Sequence, residues 1–355
     1  MSYFRKDIDA IEGYTPGFQP KEAGFVKLNT NESPYPPSPR AIEAMRGAVG
    51  DGLRKYPPPM ADAFRIAAAR VLGTSPDRIL CGNGSDEILT IVVRSFCGEG
   101  DVIAWPTPTY SLYDFLAAIQ GARPVRVDFP DGYSLPPALA TTGAKLTILA
   151  NPNAPTGTFI APEEVSALAE KVDGVLLVDE AYVDFAEENC MELVERHDTV
   201  IVARSLSKSY SLAGLRVGYA VAQEPLIEGM CKVKDSYNVD AVALAGAAAA
   251  IEDQAWLRRN VSRIKATRRR LTGALEEMGL RCMASQANFV LARAPKGIEA
   301  SDLYRLLFER KVLVRYFNLP RVSDGLRISV GSEEETDALL AALEQILASV
   351  KGEPR

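Results

Sequence analysis

Short apolar runs alternate with longer amphipathic stretches between about residues 60 and 225. The short runs are rich in β-branched residues and nearly free of polar ones, which indicates strands of a sheet covered on both faces. We predict strands at 79–81, 101–104, 123–127, 146–150, 175–178, 200–203 and 217–221. The intervening stretches predict helices at 86–96, 110–120 and 162–171. This alternation predicts an α/β fold with a mainly parallel sheet and right-handed crossovers.

The two ends of the chain follow other patterns. The first 40 residues are rich in Pro, Gly and Asn, which predicts an ordered arm lying on a surface or a flexible leader. After residue 225 we predict helices at 224–246, 255–278 and 333–350, and strands near 288–292, 312–315 and 326–330. We therefore expect residues 1–50 to form the arm and part of a small domain, 51–250 a large domain, and 251–355 a small α+β domain.

The composition of the 355-residue chain excludes several classes of protein. With 40 Lys and Arg against 46 Asp and Glu, the net charge is −6, which argues against binding to nucleic-acid phosphates. The N-terminus lacks the apolar stretch of a signal peptide, and the least polar run, 241–251, is too short to cross a bilayer. We therefore expect neither a nucleic-acid nor a membrane partner.

The numbers of cysteines and histidines limit which metal-binding and proton-transfer chemistry the chain can support. The five cysteines are scattered and form no C-x-x-C pair, which indicates reduced thiols in a cytoplasmic protein. His197 is the single histidine, so a metal site built from several histidines is excluded. If the chain is an enzyme, we expect a group other than imidazole to move its protons.

Several loops follow predicted strands at the edge where open α/β sheets bind ligands. The glycines of 82–87 precede a helix and offer backbone N–H groups to an anion. Without other evidence, an N-cap role of Ser85 or Asp86 for that helix explains this loop better than anion binding does. The turn at 151–157 contains two prolines and a glycine, so it is stiff and holds side chains accurately.

Two further loops carry charged side chains. Asp179 ends a buried apolar strand and needs a cationic or N–H partner, unless it caps a helix. Lys208 lies among hydroxyl residues, eight positions before Arg216. One interpretation is a Schiff-base lysine surrounded by anion-binding groups, because desolvation and neighbouring cations readily lower the pKa of a lysine. The other interpretation is a solvated loop.

The order of these elements resembles that of the fold-type I aminotransferases, which use pyridoxal phosphate. The resemblance rests on the turn at 151–157, on Asp-Glu-Ala-Tyr at 179–182 and on 205–216, and it extends over nearly the whole chain. Motifs at 28–32, 54–57, 84–87, 108–110 and 326–331 are similar to those of the histidinol-phosphate aminotransferase branch. Aromatic amino-acid aminotransferases and a threonine-phosphate decarboxylase share much of this pattern and stay open as alternatives.

The resemblance implies cofactor contacts. Lys208 is expected to form the internal aldimine and to shuttle the proton, Asp179 to pair with the pyridinium nitrogen, and Tyr182 to donate to the ring phenolate oxygen. Tyr110 is expected to stack on the ring. The remaining cofactor contacts that it implies are Ser85, Asp86, Asn153, Ser205, Ser207 and Arg216.

One position departs from the family pattern. The family usually has Asn directly before Pro-Thr-Gly, where its amide contacts the ring oxygen, and this chain has Ala154. Asn153 or Asn151 is expected to take over that contact, or Tyr182 to hold the oxygen alone. The loss of one neutral hydrogen bond costs about 1 kcal/mol, which changes activity in degree and not in kind.

The resemblance also implies substrate contacts and a homodimer. Arg327, assisted by Arg315, is expected to bind the anionic end of glutamate or of histidinol phosphate, with Tyr14 and Asn31 in the same region. Tyr56 is expected to reach the cofactor phosphate of the neighbouring subunit, so that two subunits share their sites. The implied reaction is transamination between glutamate and imidazole-acetol phosphate in histidine biosynthesis.

Overall fold

A seven-stranded sheet lies at the centre of the computed structural model, which describes residues 2–11, 13 and 17–352. The strands of this sheet and of two smaller ones are β1 (Val26–Lys27), β2 (Ile79–Gly82), β3 (Val102–Thr107), β4 (Arg123–Asp128), β5 (Leu146–Ala150), β6 (Val175–Asp179), β7 (Val200–Ser205), β8 (Gly218–Val221), β9 (Arg281–Cys282), β10 (Phe289–Arg293), β11 (Val312–Leu313), β12 (Arg315–Tyr316) and β13 (Gly325–Ser329). The central order is β2-β8-β7-β6-β5-β3-β4. Strands β3 to β7 are parallel, and β8 runs antiparallel to both of its neighbours. The predicted α/β fold with a mainly parallel sheet is confirmed.

Alternate side chains of the central strands enter two separate apolar cores. All five positions of β5 and of β6 are buried. Ile148 and Leu177 belong to one core, and Leu149 and Val178 belong to the other. Successive side chains of a strand point to opposite faces, so both faces of this sheet must be covered. This arrangement explains why the strand sequences are apolar almost without interruption.

Helices cover the sheet and join it to the rest of the chain. They are α1 (Lys6–Asp9), α2 (Pro39–Ala48), α3 (Asp62–Leu72), α4 (Ser85–Phe96), α5 (Leu112–Gln120), α6 (Pro162–Ala169), α7 (Leu193–Arg196), α8 (Glu224–Cys231), α9 (Ala241–Glu252), α10 (Gln254–Glu277), α11 (Ala300–Glu309) and α12 (Glu333–Gly352). Short 3-10 helices lie at Asp51–Arg54, Pro76–Arg78, Pro137–Thr141, Val183–Phe185 and Ala213–Leu215. The described residues contain no helix that is long and apolar enough to cross a membrane.

The single helix predicted over 224–246 is wrong. The chain leaves the helix after α8 and begins α9 at Ala241, where the Asp240 carboxylate accepts a hydrogen bond from the Ala243 backbone N–H at 2.8 Å. In the intervening loop, the Asn238 amide donates to the Cys81 carbonyl oxygen at 3.0 Å. A helix cap and a contact with the distant strand β2 therefore interrupt a sequence that is compatible with helix throughout.

A third apolar core belongs to a smaller unit built from both ends of the chain. Strand β1 pairs in parallel with β11, and an antiparallel sheet has the order β12-β13-β10-β9. Leu28 from the arm, Leu271 from α10 and Leu343 from α12 share this core. The strand predicted over 312–315 is split between two sheets, because β11 pairs with the arm and β12 pairs with β13.

The domain boundaries near residues 50 and 250 stay a prediction. Helix α2 packs against α9, on the side of the large domain. Helix α10 connects the units, because Leu257 lies in a large-domain core and Leu275 lies in the small-domain core. The space between the units lies beside the carboxyl ends of the central strands, because residues at the ends of β6 and β7 line it together with residues of β12 and β13.

Candidate active site

A cavity of about 620 Å³ lies between the two units at the carboxyl ends of the central strands. Twelve of the residues predicted from the sequence line it: Asn31, Ser85, Asp86, Tyr110, Asp179, Tyr182, Ser205, Ser207, Lys208, Arg216, Arg315 and Arg327. The carboxyl ends of parallel strands share one edge of the sheet, so residues far apart in sequence converge there. The predicted Tyr14 lies outside the described residues.

Asp179 is a buried carboxylate at the end of β6, with 6% of its surface exposed. It accepts hydrogen bonds from the Tyr113 hydroxyl at 2.7 Å and from the Ala181 backbone N–H at 3.2 Å. Burial raises its pKa to about 6, although these two bonds act in the opposite direction. Within the described part of the chain, no ion pair involves this carboxylate. Such a group fits the protonated nitrogen of a pyridine ring as its partner.

The start of α4 is open to an anion. Helix α4 begins at Ser85, directly after Gly84, whose φ is +85°. A Cβ on Gly84 would lie 2.6 Å from Arg216 Nη2, and a Cβ on Gly218 would lie 2.4 Å from the Ser85 backbone nitrogen. Glycine at both positions therefore allows Arg216 and β8 to approach the helix start, where unpaired N–H groups attract anions.

Arg216 joins this helix start to the loop after β7. Its Nη1 donates to Ser207 Oγ at 3.3 Å, and its Nη2 donates to Asp86 Oδ2 at 3.2 Å. Ser205 Oγ accepts from the Ser207 backbone N–H at 3.2 Å, and the Tyr110 hydroxyl donates to Asp86 Oδ1 at 3.2 Å. A guanidinium group, two serine hydroxyls and a helix N-terminus at one place suit a phosphate group.

Lys208 and Tyr182 lie close together in the cavity. Lys208 Nζ donates to the Thr30 carbonyl oxygen at 3.3 Å and lies 5.7 Å from the centre of the Tyr182 ring. The Tyr182 hydroxyl is bonded to Asn31 Nδ2 at 3.0 Å, and its ring packs edge-on against Phe289. An amine and a phenol are thus held at defined positions by contacts from both units.

Arg315 and Arg327 are cross-strand partners in β12 and β13. Directly opposed residues of an antiparallel pair have their side chains on the same face, so two cations line the same part of the cavity. The two guanidinium carbons lie 5.4 and 5.3 Å from the centre of the Phe317 ring, and Arg327 Nη2 donates to the Asn29 carbonyl oxygen at 2.9 Å. Opposed like charges are unfavourable by themselves, and an anionic ligand would relieve their repulsion.

Asn153 does not line the cavity, in contrast to the prediction. Its Oδ1 accepts from the Thr109 hydroxyl at 2.7 Å. Its Nδ2 donates to the Pro108 carbonyl oxygen at 3.0 Å and to the Thr156 hydroxyl at 2.9 Å. Both amide hydrogens are therefore used, one within the turn and one on the loop that contains Pro108, and this arrangement leaves none for a ring oxygen.

Asn151 and Tyr182 are the other two residues predicted to contact the ring oxygen, and their geometry differs. Asn151 also bonds within the fold, accepting from the Ile160 N–H at 2.8 Å and donating to the Ile160 carbonyl at 2.9 Å. Ala154 lines the cavity and has no polar side chain. Of Asn151, Asn153 and Tyr182, only Tyr182 lines the cavity.

Tyr56 also lies away from the cavity. Its side chain is 79% exposed and stacks on Tyr237, with ring centres 4.4 Å apart. Leu53 and Val49 are exposed on the preceding segment. An exposed aromatic pair beside apolar side chains is typical of a surface that contacts another protein chain.

The sequence interpretation missed two polar contacts beneath the site. Tyr113 is fully buried on α5, and its hydroxyl reaches Asp179 although a tyrosine in an amphipathic helix is typical of core packing. Arg204 and the buried Glu180 form an ion pair at 2.7 Å. The position of Glu180 after the strand-end Asp179 was a usable signal, because a carboxylate buried there needs a cation.

Comparison with known proteins places the chain in a family. Residues 23–343 match the sequence model of aminotransferase class I and II. Histidinol-phosphate aminotransferase 1 of Trichormus variabilis is 45% identical over 349 residues, covering 98% of this chain and 99% of the relative. Histidinol-phosphate aminotransferase of Rhodopirellula baltica is 44% identical, covering 98% and 96%. The crystal structure of histidinol-phosphate aminotransferase from Sinorhizobium meliloti in complex with pyridoxal-5'-phosphate has a TM-score of 0.90 at 30% identity and covers 99% of both chains. The chain therefore belongs to the class I and II aminotransferases, in the branch that contains the histidinol-phosphate aminotransferases.

Proposed function

We propose that the protein is a pyridoxal-phosphate-dependent transaminase that exchanges the amino group between glutamate and imidazole-acetol phosphate in histidine biosynthesis. One observation carries this proposal: a single cavity holds Lys208, the buried Asp179 and the cross-strand arginines Arg315 and Arg327. The names of its relatives, at 44–45% identity over almost the full length, support the same reaction.

The residues of the cavity fit pyridoxal phosphate. Asp179 would hold the ring nitrogen, because it is a buried carboxylate with raised pKa that gains from a cationic partner. Arg216, Ser205, Ser207 and the N-terminus of α4 would hold the phosphate. When bound, the cofactor supplies an electron sink for breaking a bond at the substrate α-carbon.

The chain itself supplies the proton transfer. Lys208 Nζ is proposed to take the proton from the α-carbon of the amino donor and to pass it to the cofactor carbon that would carry the nitrogen, and to move a proton in the opposite direction when the amino acceptor reacts. Its bond to the Thr30 carbonyl oxygen orients the amine within the cavity. This assignment explains how an enzyme with a single histidine carries out acid–base chemistry.

Arg315 and Arg327 are proposed to select the substrates. Both substrates that exchange the amino group carry an anionic end, a carboxylate in glutamate and a phosphate in histidinol phosphate. Planar guanidinium groups bind both kinds of anion with paired hydrogen bonds. Two arginines opposed on one face of β12 and β13 can therefore serve two substrates in one site.

We also propose that the protein acts as a cytoplasmic homodimer. The exposed stacked pair of Tyr56 and Tyr237 supports an interface through which Tyr56 reaches the phosphate site of the neighbouring subunit. The five free cysteines are consistent with a reducing compartment.

Half-reaction rates test the substrate assignment. The purified holoenzyme is mixed with histidinol phosphate, glutamate or phenylalanine, and the change of its visible absorbance is followed in a single turnover. We expect histidinol phosphate and glutamate to react much faster than phenylalanine. A faster reaction with phenylalanine would show an aromatic amino-acid aminotransferase, and release of carbon dioxide from threonine phosphate would show a decarboxylase.

A further inference from the structure

We propose that Asn31 is a positioning residue that directs the hydroxyl proton of Tyr182 into the cavity, and that Ser329 sets the orientation of its amide. This inference rests on the proposed function, because it concerns the tyrosine that would contact the ring oxygen of the cofactor. Asn31 is buried where the arm crosses between the units, with Ser329 of β13 and Tyr182 both in hydrogen-bond contact. The family resemblance implies for Asn31 only a position in the substrate region.

The direction of the protons follows from Ser329. The Asn31 backbone N–H lies 2.9 Å from Ser329 Oγ, and a backbone N–H can only donate, so the serine oxygen accepts there. The serine oxygen could also accept from an amide nitrogen, but its proton would then have no acceptor, because the described residues give Ser329 Oγ no hydrogen bond besides these two to Asn31, the second to its side chain at 2.9 Å. That contact requires an acceptor, so the amide oxygen Oδ1 faces the serine.

The amide nitrogen of Asn31 consequently faces Tyr182. Nδ2 lies 3.0 Å from the phenolic oxygen, and an amide nitrogen can only donate, so Tyr182 accepts this bond. The phenolic proton then points away from Asn31, and Tyr182 lines the cavity in which the cofactor would lie. With the amide reversed, Oδ1 would take the phenolic proton and the ring oxygen would lose its donor.

The backbone of Asn31 also restricts which side chains the position accepts. Its φ is +56°, in the left-handed region that Asn, Asp and Gly adopt more readily than other residues. Asn31→Asp and Asn31→Gly therefore both keep a tolerable backbone. Asp keeps the size of the side chain but turns the donor into an acceptor, whereas Gly removes the side chain entirely.

Titration of the visible absorbance of the holoenzyme with pH tests the proposal. A hydrogen bond donated to the ring oxygen stabilises its anionic form, so loss of that donor raises the pH midpoint of the bound cofactor. We expect Asn31→Asp to raise the midpoint by about one pH unit, and Tyr182→Phe to raise it by the same amount. Asn31→Gly should raise it less, because the phenolic proton stays free. Lys208 and the other charged side chains that line the cavity are unchanged in all variants; the latter are Glu32, Asp86, Asp179, Arg216, Arg315 and Arg327.

A double variant separates the proton from the added charge. In the Tyr182→Phe background, Asn31→Asp should add only the part of the shift that its negative charge causes, since no phenolic proton is left to divert. A full further shift there, or a shift in Asn31→Gly as large as in Asn31→Asp, would overturn the proposal. A wild-type protein without any visible band would instead contradict the proposed function.

Ser329 provides a second pair of variants, should Asn31→Asp fail to fold. Ser329→Ala removes the hydroxyl that fixes the amide, so we expect a raised midpoint that lies below that of Tyr182→Phe. Ser329→Thr keeps the hydroxyl and should keep the wild-type midpoint. Equal midpoints for Ser329→Ala and the wild type would contradict the assigned orientation.

Discussion

Asp179→Asn is expected to stabilise the cofactor-free protein and to weaken its binding of pyridoxal phosphate. Burial raises the pKa of Asp179 from its ordinary value of 3.8 to about 6. The folded state therefore binds this proton more tightly than the unfolded chain does. The stabilisation that results is complete below a pH of about 4 and is lost as the pH rises through about 6.

The magnitude follows from the difference between the two pKa values. One pKa unit corresponds to about 1.4 kcal/mol, so the ionised carboxylate costs the folded protein about 3 kcal/mol above pH 7. Asparagine is neutral and still offers an oxygen to the Tyr113 hydroxyl. The variant should therefore gain up to this amount at neutral pH and almost nothing near pH 4.

Denaturant unfolding of the cofactor-free protein between about pH 4 and pH 8 measures the gain. Asp198→Asn, which neutralises an exposed carboxylate, is the control and should change little. Added pyridoxal phosphate should stabilise the wild type more than Asp179→Asn, because the ring nitrogen gives the carboxylate its cation. Identical pH dependence of unfolding in the wild type and in Asp179→Asn would refute this reasoning.

Further predictions concern catalysis, recognition and the core. Lys208→Ala should lower the single-turnover rate by about 10³-fold or more, although the phosphate contacts should still retain the cofactor. A rate near that of the wild type would exclude Lys208 as the proton carrier. Arg327→Gln should raise the KM for glutamate and the KM for histidinol phosphate by about 100-fold each in steady-state kinetics. A raised KM for only one of the two substrates would contradict a shared site. Tyr113→Phe removes a hydrogen bond to the carboxylate and should weaken cofactor binding by about 10-fold in an equilibrium titration. Phe64→Ala should reduce the free energy of unfolding by about 3–5 kcal/mol in urea, because Phe64 is fully buried.

The inner strands β5 and β6 were predictable because each is a continuous buried run. Strand β5 matches its prediction at both ends, and β6 extends one residue further, to Asp179. The break between α8 and α9 was not predictable from periodicity, because the sequence there contains no proline or glycine between 230 and 245. It depends on the Asp240 cap and on the contact of Asn238 with β2, which only the folded chain brings together.

The charged groups proposed for the site were recognisable from the sequence, because Asp179, Lys208 and Arg216 stand at strand ends or in turns with distinct local patterns. The contacts that support those groups depend on the fold. Tyr113 reaches Asp179 across 66 positions, and Ser329 orients Asn31 across 298. Such contacts depend on burial and on strand register between distant segments, and no local periodicity of hydrophobic and polar residues records either of them.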